Sequence, residues 1–308
     1  MKKTMDPARK FSAEAIRKDY NVLRSLLEKY HPALYWYTPK DSMDYYFDRY
    51  YHAIDDSMTR QQFGFRILAP LTTRIRCGHT SFNYPKSYNR LQQKRLSSSF
   101  PLYLKIWPDT MVVIKNLNSR DSVLTRGTII NRVNYRDVNQ LTDTLFQFMP
   151  ADGYAENINY IRLSAALPYY YQNILGLSDR YEIEYTDSSG ELLTTEVPVF
   201  NPETDSTAKA VLQKMKDERH ATLARKRKRD ELRTFVIDSS GLYALMTING
   251  FGEKGHLPSF YRKRFRQLRK LKIPNLVIDI RTNGGGKVNN YTALKRYIID
   301  SSFKVIDT

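Results

Sequence analysis

The sequence predicts an α+β multidomain fold, and three observations carry that prediction. Apolar residues recur at helical spacing through the first 76 residues and alternate at strand spacing from about residue 99 to residue 200. The last part of the chain shows a strand, helix, strand order. A chain of 308 residues is also long enough to build two or three separate cores.

The N-terminal helical domain is expected at residues 1–90, where helix start and stop signals are clear. Ser12 precedes an apolar stripe that ends before His31. Thr38 is the expected cap of a second helix, and Thr59 opens a third helix with a capping-box pattern. The third helix is expected to end with Gly78 in the left-handed position after its last turn.

Three further segments complete the predicted organisation. Residues 95–200 are expected to form strands and turns, with a helical, tyrosine-rich insertion at 149–176. The polar residues 201–233 are predicted to be a charged linker. Residues 234–308 contain two apolar strands joined by an amphipathic helix, which predicts a parallel pair with a right-handed crossover.

The net charge of +17 makes nucleic acid or another polyanion a candidate partner. Basic residues concentrate at 225–229 and 261–272. Aromatic residues are not interleaved with them in a stacking pattern, so we place polyanion binding last and do not expect a nucleic-acid partner. The apolar stripe within 261–272 indicates instead a helix that packs against the protein.

Other chemistry is limited by what the composition lacks. The single Cys77 excludes an internal disulfide and a zinc site made of several cysteines. No histidine pairing suggests a metal, so neither a metal nor a cofactor is expected. No apolar run approaches the ~20 residues of a membrane span, and the basic start has no apolar segment behind it that would form a signal peptide.

The glycine loop at Asn283–Gly286 follows the apolar strand 276–280 and precedes a helix. This arrangement points backbone N–H groups at a negative charge, and beside a nucleophile it would form an oxyanion hole. A flexible turn is the alternative, and the spacing is not that of a phosphate-binding loop. Asp279 and Arg281 flank the loop from the strand, and we expect them to face opposite sides and not to pair.

His79 is the histidine with the most suggestive position. With Gly78 ending the third helix, His79 would lie just beyond a helix C-terminus, whose partial negative charge favours imidazolium and suits a general base. On local context alone, an ordinary surface or core histidine is the favoured interpretation. The sequence has no Gly-x-Ser-x-Gly nucleophile elbow.

Three segments together resemble the tail-specific (C-terminal processing) serine peptidase family. Leu276–Gly286 is similar to its hydrophobic-Asp-x-Arg-x-Asn-x-Gly-Gly signature, which is the most specific of the three. Cys77–Thr80 resembles the Gly-His-Thr motif of the tricorn-like branch. Gly127–Asn134 resembles a motif of the family's PDZ-like domain, so that the resemblance covers nearly the whole chain.

The resemblance implies a helical N-terminal domain, a PDZ-like domain and the start of a crotonase-like α/β protease core. It makes His79 the general base and the backbone N–H groups of Gly284 and Gly285 the oxyanion donors, with Asn283 and Gly286 in contact with substrate. The implied substrate is a polypeptide, in particular its C-terminal tail. The implied location is the bacterial cell envelope or periplasm.

The family's nucleophilic serine follows the glycine loop by several tens of residues, whereas the printed sequence ends at Thr308. We therefore expect these 308 residues to lack the nucleophile and to be inactive alone. The alternative is a non-catalytic PDZ-type peptide-binding protein or pseudoenzyme. The sequence makes no prediction of the oligomeric state.

Overall fold

The structure is a computed structural model in which the chain forms two compact units, Met1–Leu212 and Gln213–Thr308. The residues that it describes are 6–88, 98–207, 210–211, 213–215, 217–218, 233–253 and 256–303. The mixed α and β character with several sheets is confirmed. Most of the predicted charged linker at 201–233 lies outside the described residues. Within the described part of the chain, no helix has the length and apolarity needed to cross a membrane.

The first unit begins with a layer of helices around an aliphatic and aromatic core. Its elements are β1 (Lys10–Phe11), α1 (Ala13–Tyr30), α2 (Lys40–His52), β2 (Met58–Thr59), α3 (Arg60–Phe63), a π-helical stretch (Gly64–Leu68) and α4 (Ala69–Ile75). Strands β1 and β2 pair antiparallel. The core includes Ile16, Tyr20, Met43, Phe47, Ile54, Ile67, Leu71 and Ile75. The predicted helical nature of this region is confirmed.

Two of the predicted helix starts are confirmed in atomic detail. Ser12 caps α1, and its hydroxyl accepts a hydrogen bond from Ala15 N at 3.3 Å. Thr59 caps α3 in a capping box, because its hydroxyl accepts from Gln62 N while the Gln62 side chain accepts from Thr59 N. Each cap satisfies donors that the first helical turn leaves free.

The predicted cap at Thr38 is wrong. Helix α2 begins one residue later than expected, with Pro39 in the cap position and no side-chain cap. The buried Thr38 hydroxyl donates instead to Arg74 O at 2.6 Å. A hydroxyl that caps a helix must face its first N–H groups, so this bond to α4 removes Thr38 from that role.

The remainder of the first unit is an antiparallel sheet with two helices. The strands are β3 (Leu102–Trp107), β4 (Thr110–Asn116), β5 (Ile129–Val133), β6 (Arg136–Asp137), β7 (Arg180–Thr186) and β8 (Leu192–Pro198). Their order is β3-β4-β5-β7-β8, with β6 paired to β5. Helices α5 (Val138–Phe146) and α6 (Asn157–Ile174) contribute to the same core, α6 through Leu163, Leu167 and Tyr171.

Helix α6 covers part of the outer edge of β3 through a buried serine. Ser164 Oγ accepts a hydrogen bond from Ile106 N at 2.9 Å and donates to Tyr160 O at 2.7 Å. An edge strand leaves backbone groups unpaired, and a helix laid on the edge is one way to satisfy them. At Ile106 the edge of the sheet is therefore already occupied.

Replacing Ser164 with alanine should lower the free energy of unfolding of the first unit by about 1–3 kcal/mol, because the buried Ile106 N–H loses its acceptor. Both tryptophans of the chain, Trp36 and Trp107, lie in this unit, so tryptophan fluorescence in urea reports on it. The control is Thr144→Ala, which removes a hydroxyl that bonds Gln140 O inside α5. Equal urea midpoints for the two variants would contradict a stabilising role for the bond between Ser164 and Ile106.

The second unit contains a three-stranded sheet, with β9 (Arg233–Ile237), β10 (Tyr243–Ile248) and β11 (Asn275–Asp279). The predicted parallel pair is confirmed as β10 and β11, while β9, which the sequence analysis did not predict, is antiparallel to β10. Helices α7 (Leu257–Leu271) and α8 (Val288–Lys295) complete it. The apolar face of the basic helix α7 is buried, as predicted, and the unit's core is Met246, Ile248, Leu257, Phe260, Tyr261 and Leu294.

Candidate active-site elements

His79 lies in a tight turn, four residues after the end of α4 at Ile75. The turn closes where Thr80 N donates to Cys77 O at 3.0 Å. The His79 side chain is 92% exposed, so its ring is accessible to a reacting group. His79 therefore has the accessibility that a general base requires, and its assignment as one stays a prediction.

The end of α4 is arranged differently from the prediction. Arg76, and not Gly78, takes the left-handed conformation, with φ of 55° and ψ of 40°. Gly153 N donates to Arg76 O at 2.8 Å, so a distant loop holds this left-handed residue in place. The prediction that Gly78 takes the left-handed position after the third helix is therefore wrong.

Gly78 has a different feature, which is the close approach of the Asp152 carboxylate. Gly78 N donates to Asp152 Oδ1 at 2.6 Å. A Cβ at Gly78 would lie 2.8 Å from Asp152 Oδ2, a separation that real Cβ atoms do not adopt. The absence of a side chain at residue 78 thus lets the carboxylate approach the His79 turn.

Asp152 also faces His79, at 3.9 Å between His79 Nδ1 and Asp152 Oδ1. That separation is too long for a hydrogen bond but within the range of an ion pair. Cys77 lies beside them, and one ligand atom from each of Cys77, His79 and Asp152 falls within 4.8 Å of the others. Sequence reasoning missed Asp152, because no local pattern connects it with a histidine so far away in the chain.

His31, at the end of α1, forms a hydrogen bond to the turn that contains His79. Its Nδ1 accepts a hydrogen bond from Ala33 N at 3.2 Å, so in the neutral ring the proton lies on Nε2. Nε2 is 2.9 Å from Thr80 Oγ1 and therefore donates to that hydroxyl. Burial lowers the pKa of His31 from its usual 6.5, since a buried ring disfavours the charged form.

The lowered pKa of His31 predicts a stability change in mild acid. An unfolded histidine binds its proton near pH 6.5, so below that pH the unfolded state holds more protons than the folded one. Stability should therefore fall as pH drops through about 6.5 and stop falling below the folded pKa of His31. Urea unfolding by tryptophan fluorescence from about pH 8 to about pH 5 should show this loss, and His31→Gln should reduce it. If the unaltered chain and His31→Gln lose the same stability between these pH values, the predicted contribution of His31 is contradicted.

In the second unit, the glycine loop between β11 and α8 is held by the backbone of Phe251. Phe251 N donates to Gly285 O, and Lys287 N donates to Phe251 O, both at 2.9 Å. Gly285 and Gly286 have φ of 90° and 145°, which strongly favours glycine. At Gly286 a Cβ would also meet the Phe251 carbonyl carbon at 2.5 Å.

The N–H groups of the loop differ in availability. Gly285 N donates to Asn283 Oδ1 at 2.8 Å, whereas among the described residues nothing accepts from Gly284 N. The Asn283 amide also donates to Ile248 O at 3.1 Å. Asn283 and Gly286 therefore hold the loop in shape. Their predicted contact with substrate, and the oxyanion role of Gly284 and Gly285, stay predictions.

The prediction that Asp279 and Arg281 do not pair is wrong. The strand ends at Asp279, and the chain turns there so that Arg281 Nε and Nη2 reach the carboxylate at 3.0 and 2.8 Å. Residues two apart share one face of a strand, so the expectation of opposite sides was mistaken. The hydrogen bonds from Arg281 lower the pKa of Asp279 to about 2, so the pair stays ionised at neutral pH.

Comparison with known proteins finds a family match in the C-terminal part of the chain. Residues 243–307, which hold β10, α7, β11, the glycine loop and α8, match peptidase family S41. A comparison with curated proteins finds no match. The family match thus concerns the second unit and includes the loop that the sequence analysis singled out.

Solved structures give a likeness over most of the chain. A crystal structure of a CPAF mutant matches with a TM-score of 0.50 at 13% identity, covering 90% of this chain and 57% of that one. Mature CPAF matches with a TM-score of 0.48 at 13% identity, covering 90% and 56%. The tricorn protease has a TM-score of 0.23 at 14% identity and 92% and 24% coverage, too low to indicate a common fold. The present chain thus spans 57% of the CPAF mutant, and at this identity the likeness concerns the fold alone.

Proposed function

We propose that this chain supplies the general base and the oxyanion-stabilising loop of a tail-specific serine endopeptidase of the tricorn-like branch. The observation that carries the proposal is the match of residues 243–307 to peptidase family S41, because this segment contains the glycine loop. The His79 turn in the first unit adds an exposed imidazole with a carboxylate facing it.

In this proposal, His79 accepts the proton of a serine hydroxyl as that oxygen attacks the peptide carbonyl. Asp152 stabilises the resulting imidazolium once the 3.9 Å gap to Nδ1 closes. Gly284 N–H donates to the developing oxyanion, and Gly285 N–H joins it after leaving Asn283 Oδ1. His79 then returns the proton to the leaving amine, and water hydrolyses the acyl-enzyme. No serine of the printed chain is assigned as the nucleophile.

The proposal extends to the two β regions of the chain. Residues 95–200 serve as a PDZ-like domain that receives C-terminal tails, and residues 234–308 begin a crotonase-like core. A tail can bind by adding a strand to a sheet edge. Since α6 covers β3 at Ile106, the edge at β8 is the better candidate; there no strand pairs on the outer side among the described residues. The bacterial cell envelope is the proposed location.

The second candidate is a non-catalytic peptide-binding protein. One observation favours it, namely that Asn283 and Gly285 are engaged in hydrogen bonds that hold their own loop, while Gly286 packs against the Phe251 backbone. A loop with that bonding is fully explained as a structural connection between β11 and α8. In that case His79 would be an ordinary surface histidine.

One experiment separates the two candidates. The protein as its source makes it and the 308-residue chain are each treated with a fluorophosphonate probe and a quenched fluorescent peptide. The peptidase proposal expects the natural protein to hydrolyse the peptide and to carry the probe on a serine outside residues 1–308, with the 308-residue chain inert. A natural protein that binds tail peptides but shows neither hydrolysis nor labelling would overturn it in favour of the binding protein.

A further inference from the structure

We propose that Cys77, His79 and Asp152 form a Zn²⁺ site that removes His79 from catalysis when the ion is bound. All three residues lie in the first unit, and their ligand atoms are within 4.8 Å of one another. A thiolate, an imidazole and a carboxylate are the ligands that Zn²⁺ takes in proteins, with water in an open fourth position. Ions such as Mg²⁺ and Ca²⁺ prefer oxygen ligands alone.

The backbone around these residues holds the three ligands close together. The Cys77–Thr80 turn fixes Cys77 and His79 on either side of Gly78. The bond from Gly78 N to Asp152 Oδ1 places the carboxylate against that turn, and this bond leaves Oδ2 available for a metal. Because the backbone already holds these residues close together, ion binding costs little backbone conformational entropy.

The remaining adjustment is small and falls on an exposed side chain. Bonds of about 2.0–2.3 Å to Zn²⁺ place tetrahedral ligand atoms about 3.3–3.7 Å apart. The present separations of up to 4.8 Å must therefore shorten by about 1.1–1.5 Å. The His79 ring is 92% exposed and can rotate towards the other two ligands without displacing packed neighbours.

Binding at this site has two chemical consequences. The Cys77 thiol gives up its proton to solvent as the sulfur–zinc bond forms, so affinity should rise with pH. When one His79 nitrogen coordinates the ion, the other nitrogen carries the proton of the neutral ring, so neither can accept a proton from a nucleophile. This inhibitory part rests on the proposed function, whereas the metal site itself does not.

The test uses Co²⁺ as a spectroscopic substitute for Zn²⁺ on the 308-residue chain. Because Cys77 is the one cysteine in the sequence, a sulfur-to-cobalt charge-transfer band can come from that residue alone. We expect one Co²⁺ per chain, displaced by Zn²⁺. Cys77→Ser should abolish the band, and His79→Ala and Asp152→Asn should each weaken Zn²⁺ binding by more than about 100-fold.

The choice of Asp152→Asn and one control variant make the result specific. Asp152→Asn keeps an oxygen that can accept from Gly78 N, so it removes the charge with little change in the turn. His52→Ala removes an exposed histidine on α2 and should leave Zn²⁺ affinity unchanged. The proposal is overturned if no charge-transfer band appears or if Cys77→Ser binds Zn²⁺ as tightly as the unaltered chain.

The inhibitory part is tested on the natural protein. Zn²⁺ should inhibit peptide hydrolysis, a chelator should restore it, and Cys77→Ser should keep its activity while resisting Zn²⁺. Equal inhibition of both proteins would refute the inhibitory role. If neither protein hydrolyses peptides, the proposed function fails, while the cobalt spectrum still decides whether the metal site exists.

Discussion

Replacing His79 with alanine in the natural protein should lower kcat for peptide hydrolysis by about 10⁴-fold or more, because the serine loses the group that accepts its proton. Little of the fold should change, since the side chain is 92% exposed. The measurements are kcat on a fluorescent peptide and the urea midpoint by tryptophan fluorescence, with His52→Ala as the control. An unchanged kcat in the His79→Ala protein would eliminate the general-base assignment.

Replacing Gly286 with alanine should destabilise the second unit by about 3 kcal/mol, because backbone strain and overpacking each cost about 1–3 kcal/mol. A Cβ there would lie 2.5 Å from the Phe251 carbonyl carbon and 2.6 Å from its oxygen, and φ is 145°. The clash should break the two hydrogen bonds that join Phe251 to the loop, and peptide hydrolysis should be lost with them.

The neighbouring glycines provide matched controls for this variant. A Cβ at Gly284 would have no heavy atom within 4 Å, and its φ is not left-handed, so Gly284→Ala should leave stability unchanged within about 0.5 kcal/mol. Gly285→Ala has open space but a φ of 90°, and should cost about 1 kcal/mol. Hydrogen exchange over residues 243–295 in urea measures all three variants, since both tryptophans lie in the first unit. Equal stabilities across the series would show that Phe251 does not constrain the loop.

Features set by residues close in sequence could be predicted from it. The caps at Ser12 and Thr59 depend on partners within three residues, and both are confirmed. The parallel pair of β10 and β11 followed from two apolar runs around an amphipathic helix. In each case the pattern that forms the element lies within the element or next to it.

Features set by distant residues could not be predicted. Asp152 reaches the His79 turn across 74 residues, and no local pattern marks that contact. Thr38 has the residue type of a cap, yet a backbone carbonyl on α4 outcompetes that local role. The missed pairing of Arg281 with Asp279 has a different cause, because these residues are only two apart in the sequence. Residues two apart share one face of a strand, so the expectation that they face opposite sides was mistaken.

The attachment of the glycine loop to Phe251 also governs when the loop can take its shape during folding. Phe251 lies before α7 and Gly286 lies after β11, so the loop closes once the crossover has brought β11 beside β10. Contacts between residues this far apart form late, because the intervening chain must first be ordered. In a newly made chain the glycine loop is therefore not preformed, and the amides of Phe251 and Lys287 should gain protection from solvent exchange together.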